Sequence, residues 1–346
     1  MTIVPQPGIY PESFFNFGGT GDIIIKRLIK SGIDTENINL RTFTDRMVLT
    51  IAKADTSKIE VIEKLITVPG KIGFWETFEN SELIEFLVGA NRIIAGLNLP
   101  VEENTEPPVA KPGEIIHPVA DTSKNDAALS ALMQEENQQS AEGDSARKEF
   151  NKQNPLFGIL IPRVDANGQP LPSCLIGLAS RHDTAKVIRY LGMKELKYII
   201  PRDLKLFWSR DPYKYDKTQS LYELHAIKNT SITGEAPLDG EMITSAKAIT
   251  NKYGSDIRLN ISMNAEGAKI FARMTHDNIN RSLAITIDGY VRSYPRVMME
   301  ITGGNLEITG NFSLEEAQYL SAILNTGGNG LPLKLQVAEK QLTKLK

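Results

Sequence analysis

The stretch that decides the fold begins with Ile257-Arg258-Leu259-Asn260-Ile261-Ser262-Met263, continues through Asn264-Ala265-Glu266-Gly267-Ala268 and closes with Leu283-Ala284-Ile285-Thr286-Ile287-Asp288-Gly289. The first run alternates apolar and polar residues, the period of a half-buried strand. Asn264 can cap a helix in which Ala265, Ala268, Phe271, Ala272 and Ile279 share a face. Leu283–Ile287 reads as a second strand, and Asp288-Gly289 is a hairpin turn that sends Tyr290–Ile301 back. Leu306–Ile308 follows as a strand. Ser313 and Glu316 then form a capping-box pattern before Leu314, Ala317, Leu320, Ile323 and Leu324, and Leu333–Val337 is the last strand.

The same kind of order is found at the other end of the chain. Ile24, Ile25, Leu28 and Ile29 predict a helix, Ile38–Phe43 and Met47–Ile51 two strands, and Ile59–Ile66 a helix capped by Ser57 and Glu60. Ile72–Phe78 is a strand and Ser81–Ile94 a further helix. Both ends therefore read as α+β, compatible with split βαβ, ferredoxin-like sheets. Between them lie Leu156–Val164 and Ser173–Ser180 as strands, a helix capped by Asp183, and the strands Leu204–Trp208 and Leu221–Ile227. The expected organisation is a base built from 1–100 and 234–340, a flexible polar insert at 101–153, and an inserted α+β head at 154–233. The insert holds four prolines and one aromatic residue, Phe150, too little apolar surface to offset chain entropy.

Composition narrows function by exclusion. The chain has 346 residues, 39 basic against 42 acidic, with no basic run of the kind that nucleic-acid binders carry. The single cysteine, Cys174, lies in an apolar run and reads as a core thiol. No window approaches the 20 or so apolar residues of a membrane span, and Met1–Pro7 is no signal peptide. Gly18-Gly19-Thr20-Gly21-Asp22 lacks the Lys of a phosphate loop, and turn geometry accounts for Gly303-Gly304 and Gly310-Asn311. His117, His182, His225 and His276 lack metal-ligand spacing. No catalytic set, metal or cofactor is expected. Trp75 and Phe207 read as core aromatics, whereas Tyr213 and Tyr215, in a polar loop, read as exposed.

Asn264–Ala268, Leu283–Gly289, Ile301-Thr302-Gly303-Gly304 and Ile308–Ala317 closely resemble, in order and spacing, the signature of the SecD/SecDF protein-export family. Arg27–Ile33 and Gly73–Thr77 are similar to the first half of the same family domain, and Asp183–Val187 and Pro201–Leu206 to the middle portion of fused SecDF proteins of the Bacteroidetes type. Asp288, Gly289, Gly303, Gly304, Gly310, Asn311, Phe312 and Glu316 carry the resemblance; Tyr294 stands where the family often has a small residue.

The resemblance implies a periplasmic domain of an inner-membrane accessory of the Sec translocon. Such a domain binds emerging preprotein and assists its proton-gradient-driven release by a base/head hinge motion. Partners would be unfolded preprotein and translocon membrane subunits, with membrane contact only through segments outside this chain. It would be an excised soluble piece, flanked by membrane helices. Asn154, Pro155, Pro237 and Gly240 are the hinge candidates at the segment junctions, and Tyr213 and Tyr215 the preprotein-contact candidates. The alternative is a purely structural module that holds export subunits together.

Overall fold

A computed structural model describes residues 1–5, 17–53, 55–97, 149–250, 257–309, 313–326, 331 and 335–342. It is α+β, with antiparallel sheets that sort onto two main apolar cores.

The first core joins the two ends of the chain. Strands β1 (Thr2–Pro5), β2 (Ile38–Thr42) and β3 (Met47–Ile51) combine with β15 (Leu335–Glu339) in the order β15-β1-β3-β2, every neighbouring pair antiparallel. With helices α1 (Phe17–Lys30) and α2 (Ile59–Thr67) between the strands, that is the split βαβ order. Its fourth strand, however, comes from the far end of the chain. The expected partner, β4 (Ile72–Glu76), enters a second sheet, β13-β12-β4-β9, with β9 (Leu238–Asp239), β12 (Leu283–Ile287) and β13 (Tyr290–Ser293). The physical reason is burial. All five residues of β12 and four of the five in β4 are buried, so each strand must sit inside a sheet, and they pair with Phe74 opposite Ile285.

A third sheet, β10-β11-β14, holds β10 (Ile243–Thr250), β11 (Ile257–Met263) and β14 (Asn305–Thr309). Helices α5 (Ala265–Asp277) and α6 (Leu314–Leu324) pack on this part of the core. Asn264 and Ser313 cap them as expected, accepting the amides of Gly267 and Glu316. Gly304 has φ +63°, and a Cβ there would stand 2.6 Å from Ala268 Cβ, so only glycine lets this turn lie on α5.

The second core is built from α3 (Asn80–Gly96), α4 (Thr184–Leu191) and the sheet β5-β6-β8-β7, formed by β5 (Ile161–Pro162), β6 (Leu175–Ser180), β7 (Leu204–Trp208) and β8 (Leu221–Lys228). Thus α3, expected with the N-terminal half, buries Leu83, Phe86, Leu87 and Ala90 against the middle segment instead.

Four local expectations are corrected. Leu156–Leu160 is a turn of i→i−4 bonds, not strand, with Leu160 N donating to Leu156 O at 2.9 Å. The return strand after the Asp288-Gly289 turn ends at Ser293, just before Pro295, which cannot donate to a ladder. Ser57 does not cap α2, because its hydroxyl bonds Asp55 at 2.7 Å. Asp183 does not cap α4, because its carboxylate takes the Ser180 hydroxyl at 2.8 Å. The polar insert falls outside the described residues except for 149–153, which are helical. Among the described residues no helix is long and apolar enough to cross a membrane.

Candidate functional site

Among the described residues the chain passes between the two cores at Thr77–Glu79 and at Asn229–Pro237. Phe78 and Leu238 mark the cores on either side. Around these crossings lies a small seam cluster of Trp75, Ile227 and Ala284 with Phe207 and Ala236 packed against it. Trp75 and Phe207 meet edge to face at 5.6 Å, and the Trp75 indole donates to Thr286 Oγ1 at 2.9 Å. Lys205 Nζ lies 4.9 Å from the Trp75 ring centre and donates to the Gly234 carbonyl at 2.7 Å, tying the second crossing down. Glu82 of α3 pairs with Arg281 and, at 3.7 Å, Lys228. Burial works to raise the Glu82 carboxyl, but the Glu79 amide and these cations hold it below its ordinary range.

Beside the crossings the two bodies enclose an open cleft of about 810 Å³. Its second-core wall carries Pro172, Tyr213 and Tyr215, and its other wall Arg292, Tyr294 and Pro295. The loop bearing the tyrosines is shaped by Asp216, whose carboxylate accepts the amides of Thr218, Ser220 and Leu221 at 2.7–2.9 Å. Tyr213 is pinned by its amide to Leu221 O at 2.7 Å and packs on Tyr215 at 5.4 Å. Arg163 lies 5.5 Å from the Tyr213 ring centre and Lys214 lies 4.6 Å from that of Tyr215. Tyr215 is 55% exposed, so a flat apolar ring with a polar tip faces solvent at the cleft edge.

Polar contacts close the cleft floor. Tyr294 Oη donates to Glu223 Oε1 at 2.9 Å, and Arg292 reaches Asp211 at 3.0 Å and Glu316 on α6. Arg210 N donates to Val291 O at 3.0 Å. His225, fully buried, faces the Tyr294 ring at 4.5 Å between centres. Its Nε2 lies 3.8 Å from Glu223 Oε2, beyond hydrogen-bond range, and its Nδ1 lies 3.7 Å from Cys174 Sγ. Burial works to raise the Glu223 carboxyl, but the imidazole, the Tyr294 hydroxyl and Arg163 together hold it below its ordinary range. Burial, with Glu223 alongside, pushes the Tyr294 phenol up. Burial first, then the charge of Glu79, pushes the Cys174 thiol up to about 12, which makes it an inert core thiol.

The structure thus brings Tyr213 and Tyr215 together on the cleft and places the other candidates elsewhere. Asn154 and Pro155 sit with the second core, where Asn154 Oδ1 accepts from Asn91 at 2.9 Å, away from both crossings. Pro237 ends the second crossing, and Gly240 opens a short 3-10 turn after β9. Asp288 and Gly289 form the hairpin turn, where Asp288 Oδ1 accepts Lys71 N at 2.8 Å. Gly303 and Gly304 lead into β14, and Glu316 lies in α6 beside Arg292; Gly310, Asn311 and Phe312 lie outside the described residues. Gly18–Asp22 is the first turn of α1 rather than a loop. Among the described residues no group of three His, Cys, Asp or Glu is placed to hold a metal ion.

Residues 218–330 match a family model described as the SecDF P1 head subdomain. That span takes in the end of 154–233 and most of 234–340, so the name head falls mostly on residues expected in the base. The chain is 32% identical over 224 residues to a protein translocase subunit SecD of Rhodothermus marinus, covering 64% of this chain and 32% of that protein. It is 39% identical over 108 residues to the SecD of Acidaminococcus fermentans, covering 31% and 25%. With the SecD of Syntrophobacter fumaroxidans it shares 36% over 191 residues, covering 52% and 35%. The chain therefore spans between a quarter and about a third of the length of these relatives. A solved structure of a membrane component, SecDF, that enhances protein export aligns over 99% of both chains at 16% identity, with a TM-score of 0.46.

Proposed function

We propose that this chain, which is similar to SecD proteins, is the periplasmic domain of a Sec translocon accessory subunit and binds emerging, unfolded preprotein in the cleft between its two bodies. The observation that carries this reading is the cleft itself. It is open, about 810 Å³, and edged by the Tyr213/Tyr215 pair and by prolines on both walls. Such a surface suits an extended chain of varied sequence, because rigid aromatic rings offer contact area at little entropic cost. The paired cations and carboxylates around it keep it wettable when empty.

Release follows from movement of one body against the other about the crossings at Thr77–Glu79 and Asn229–Pro237, with Pro237 at the end of the second. In the whole protein, that movement is driven by the proton gradient through membrane segments beyond this chain, at the periplasmic face of the inner membrane. Fluorescence anisotropy with a labelled, reduced and carboxymethylated polypeptide tests the binding step. Weak, sequence-tolerant binding is expected, weakened about tenfold or more by Tyr213→Ala with Tyr215→Ala. No detectable binding to the intact domain would favour a purely structural role in holding export subunits together.

A further inference from the structure

The charges that line the cleft are not evenly committed. Among the described residues they are Arg163, Asp211, Lys214, Glu223 and Arg292. Both carboxylates are engaged inside the molecule: Asp211 lies 3.0 Å from Arg292, and Glu223 accepts from Tyr294 at 2.9 Å. Arg292 is engaged too, since it also holds Glu316. Arg163 and Lys214 are left over. Arg163 helps to keep Glu223 ionised, yet neither cation forms an ion pair among the described residues. Each lies over a ring instead, Arg163 at 5.5 Å from the centre of Tyr213 and Lys214 at 4.6 Å from that of Tyr215. Arg163 is half-buried and its backbone is fixed, the amide donating to Ile176 O at 3.2 Å and the carbonyl accepting Leu171 N at 3.0 Å. Lys214 is exposed.

We propose that Arg163 and Lys214 make the cleft selective for acidic segments of polypeptide: a stretch with an aspartate or glutamate beside an apolar residue seats its carboxylate on these cations and its apolar group on the Tyr213/Tyr215 step. A ring face does not use up the N–H donors of a guanidinium or an ammonium, so both can still receive a carboxylate, Arg163 in a two-pronged geometry and Lys214 as a point charge. The two rings stand 5.4 Å apart between centres, so the cations flank one continuous aromatic step, and an extended chain laid over it passes both. A basic segment meets the same two charges with like sign, and a neutral polar one gains nothing from them. The preference stays modest, because pairs open to solvent are worth little. It rests on the assignment of the cleft to preprotein made above and names the segments that the cleft takes.

Labelled peptides of one length and one apolar content, differing only in whether glutamate, glutamine or lysine flanks the phenylalanines, test this by fluorescence anisotropy with the whole chain at low ionic strength. The glutamate peptide should bind about three- to tenfold tighter than the glutamine peptide, the factor that one or two partly exposed charge pairs supply. The lysine peptide should bind more weakly than either. Salt at about 1 M, where the screening length is about 3 Å, should bring them together. Arg163→Gln combined with Lys214→Gln should abolish the preference for glutamate over glutamine. Lys214→Glu, a change on an exposed side chain, should shift the order toward the lysine peptide. Equal affinity of the glutamate and glutamine peptides for the parent would overturn the proposal and leave the cleft as a preprotein site. So would a preference that persists in the doubly substituted chain. Failure of every peptide to bind would remove the assignment of the cleft itself, and this selectivity with it.

Discussion

Gly70→Ala isolates the joint between the two chain ends. Gly70 follows α2, has φ +76°, and a Cβ placed on it would stand 2.1 Å from Ile323 Cγ2 on α6 and 3.3 Å from Arg27 Nη2. Arg27 is itself buried and donates to the carbonyls of Leu65, Val68 and Pro69, so this corner has little room to give. Two costs follow: about 1–2 kcal/mol for a side chain at positive φ and about 1–3 kcal/mol for overpacking. Gly70→Ala should therefore lose about 2–5 kcal/mol in urea unfolding followed by circular dichroism. Ile323→Ala alone should also lose about 2–5 kcal/mol by leaving a cavity. Together they should lose about 1–3 kcal/mol less than their sum, because the truncated side chain makes room for the new methyl group. Strict additivity would show that α6 does not lie over Gly70, and the shared first core would fall with it.

Other consequences are simpler to read. Thr286→Val strands the buried Trp75 indole, whose bond to Thr286 is 2.9 Å, and should cost about 1–3 kcal/mol in urea unfolding; no loss would mean the indole finds another partner. Cys174, fully buried and with its thiol pushed up to about 12, should be silent to Ellman's reagent in native buffer and react at once in denaturant. Rapid native reaction would contradict the burial described. Burial works to raise the Asp216 carboxyl, yet bonds from Thr218, Leu221 and Ser220 hold it below its ordinary range. A depressed folded-state value stabilises above the unfolded value of about 3.9, and that contribution disappears as pH falls through the folded value. Amide exchange in 213–221 should therefore accelerate, relative to the rest of the chain, only at pH below about 4. Asp216→Ala should produce the same loosening at neutral pH.

Much of the fold was readable where a local signal and its physical cause lie in one short segment. The caps at Asn264 and Ser313 and the Asp288-Gly289 turn are of this kind, since each satisfies backbone groups within a few residues. What was not readable depends on distant partners. Strand β1 has four residues and no period of its own; it is a strand because β3 and β15 flank it. Strand β10, Ile243–Thr250, is missed because Thr244, Ser245, Lys247 and Thr250 fill most of its exposed positions and Ile249 is exposed as well, while only Ile243 and Ala246 are buried. The apolar face of α3 announces a helix but not which core it covers. The box that caps α3 uses Glu79 and Glu82, whereas sequence alone suggests Ser81 as the helix start. The cleft was half legible: Tyr213 and Tyr215 stand out in a polar loop, but Glu223 and Tyr294 are 71 residues apart and nothing in either segment announces the other.

The most direct test of the account is site-specific photocross-linking to an unfolded preprotein from two positions on the second body. A photoreactive residue at Tyr215, on the cleft, is compared with one at Tyr198, which is 92% exposed and outside the residues that line it. The account predicts strong cross-linking from Tyr215 and little from Tyr198. Equal yields from both, or none from Tyr215, would contradict it.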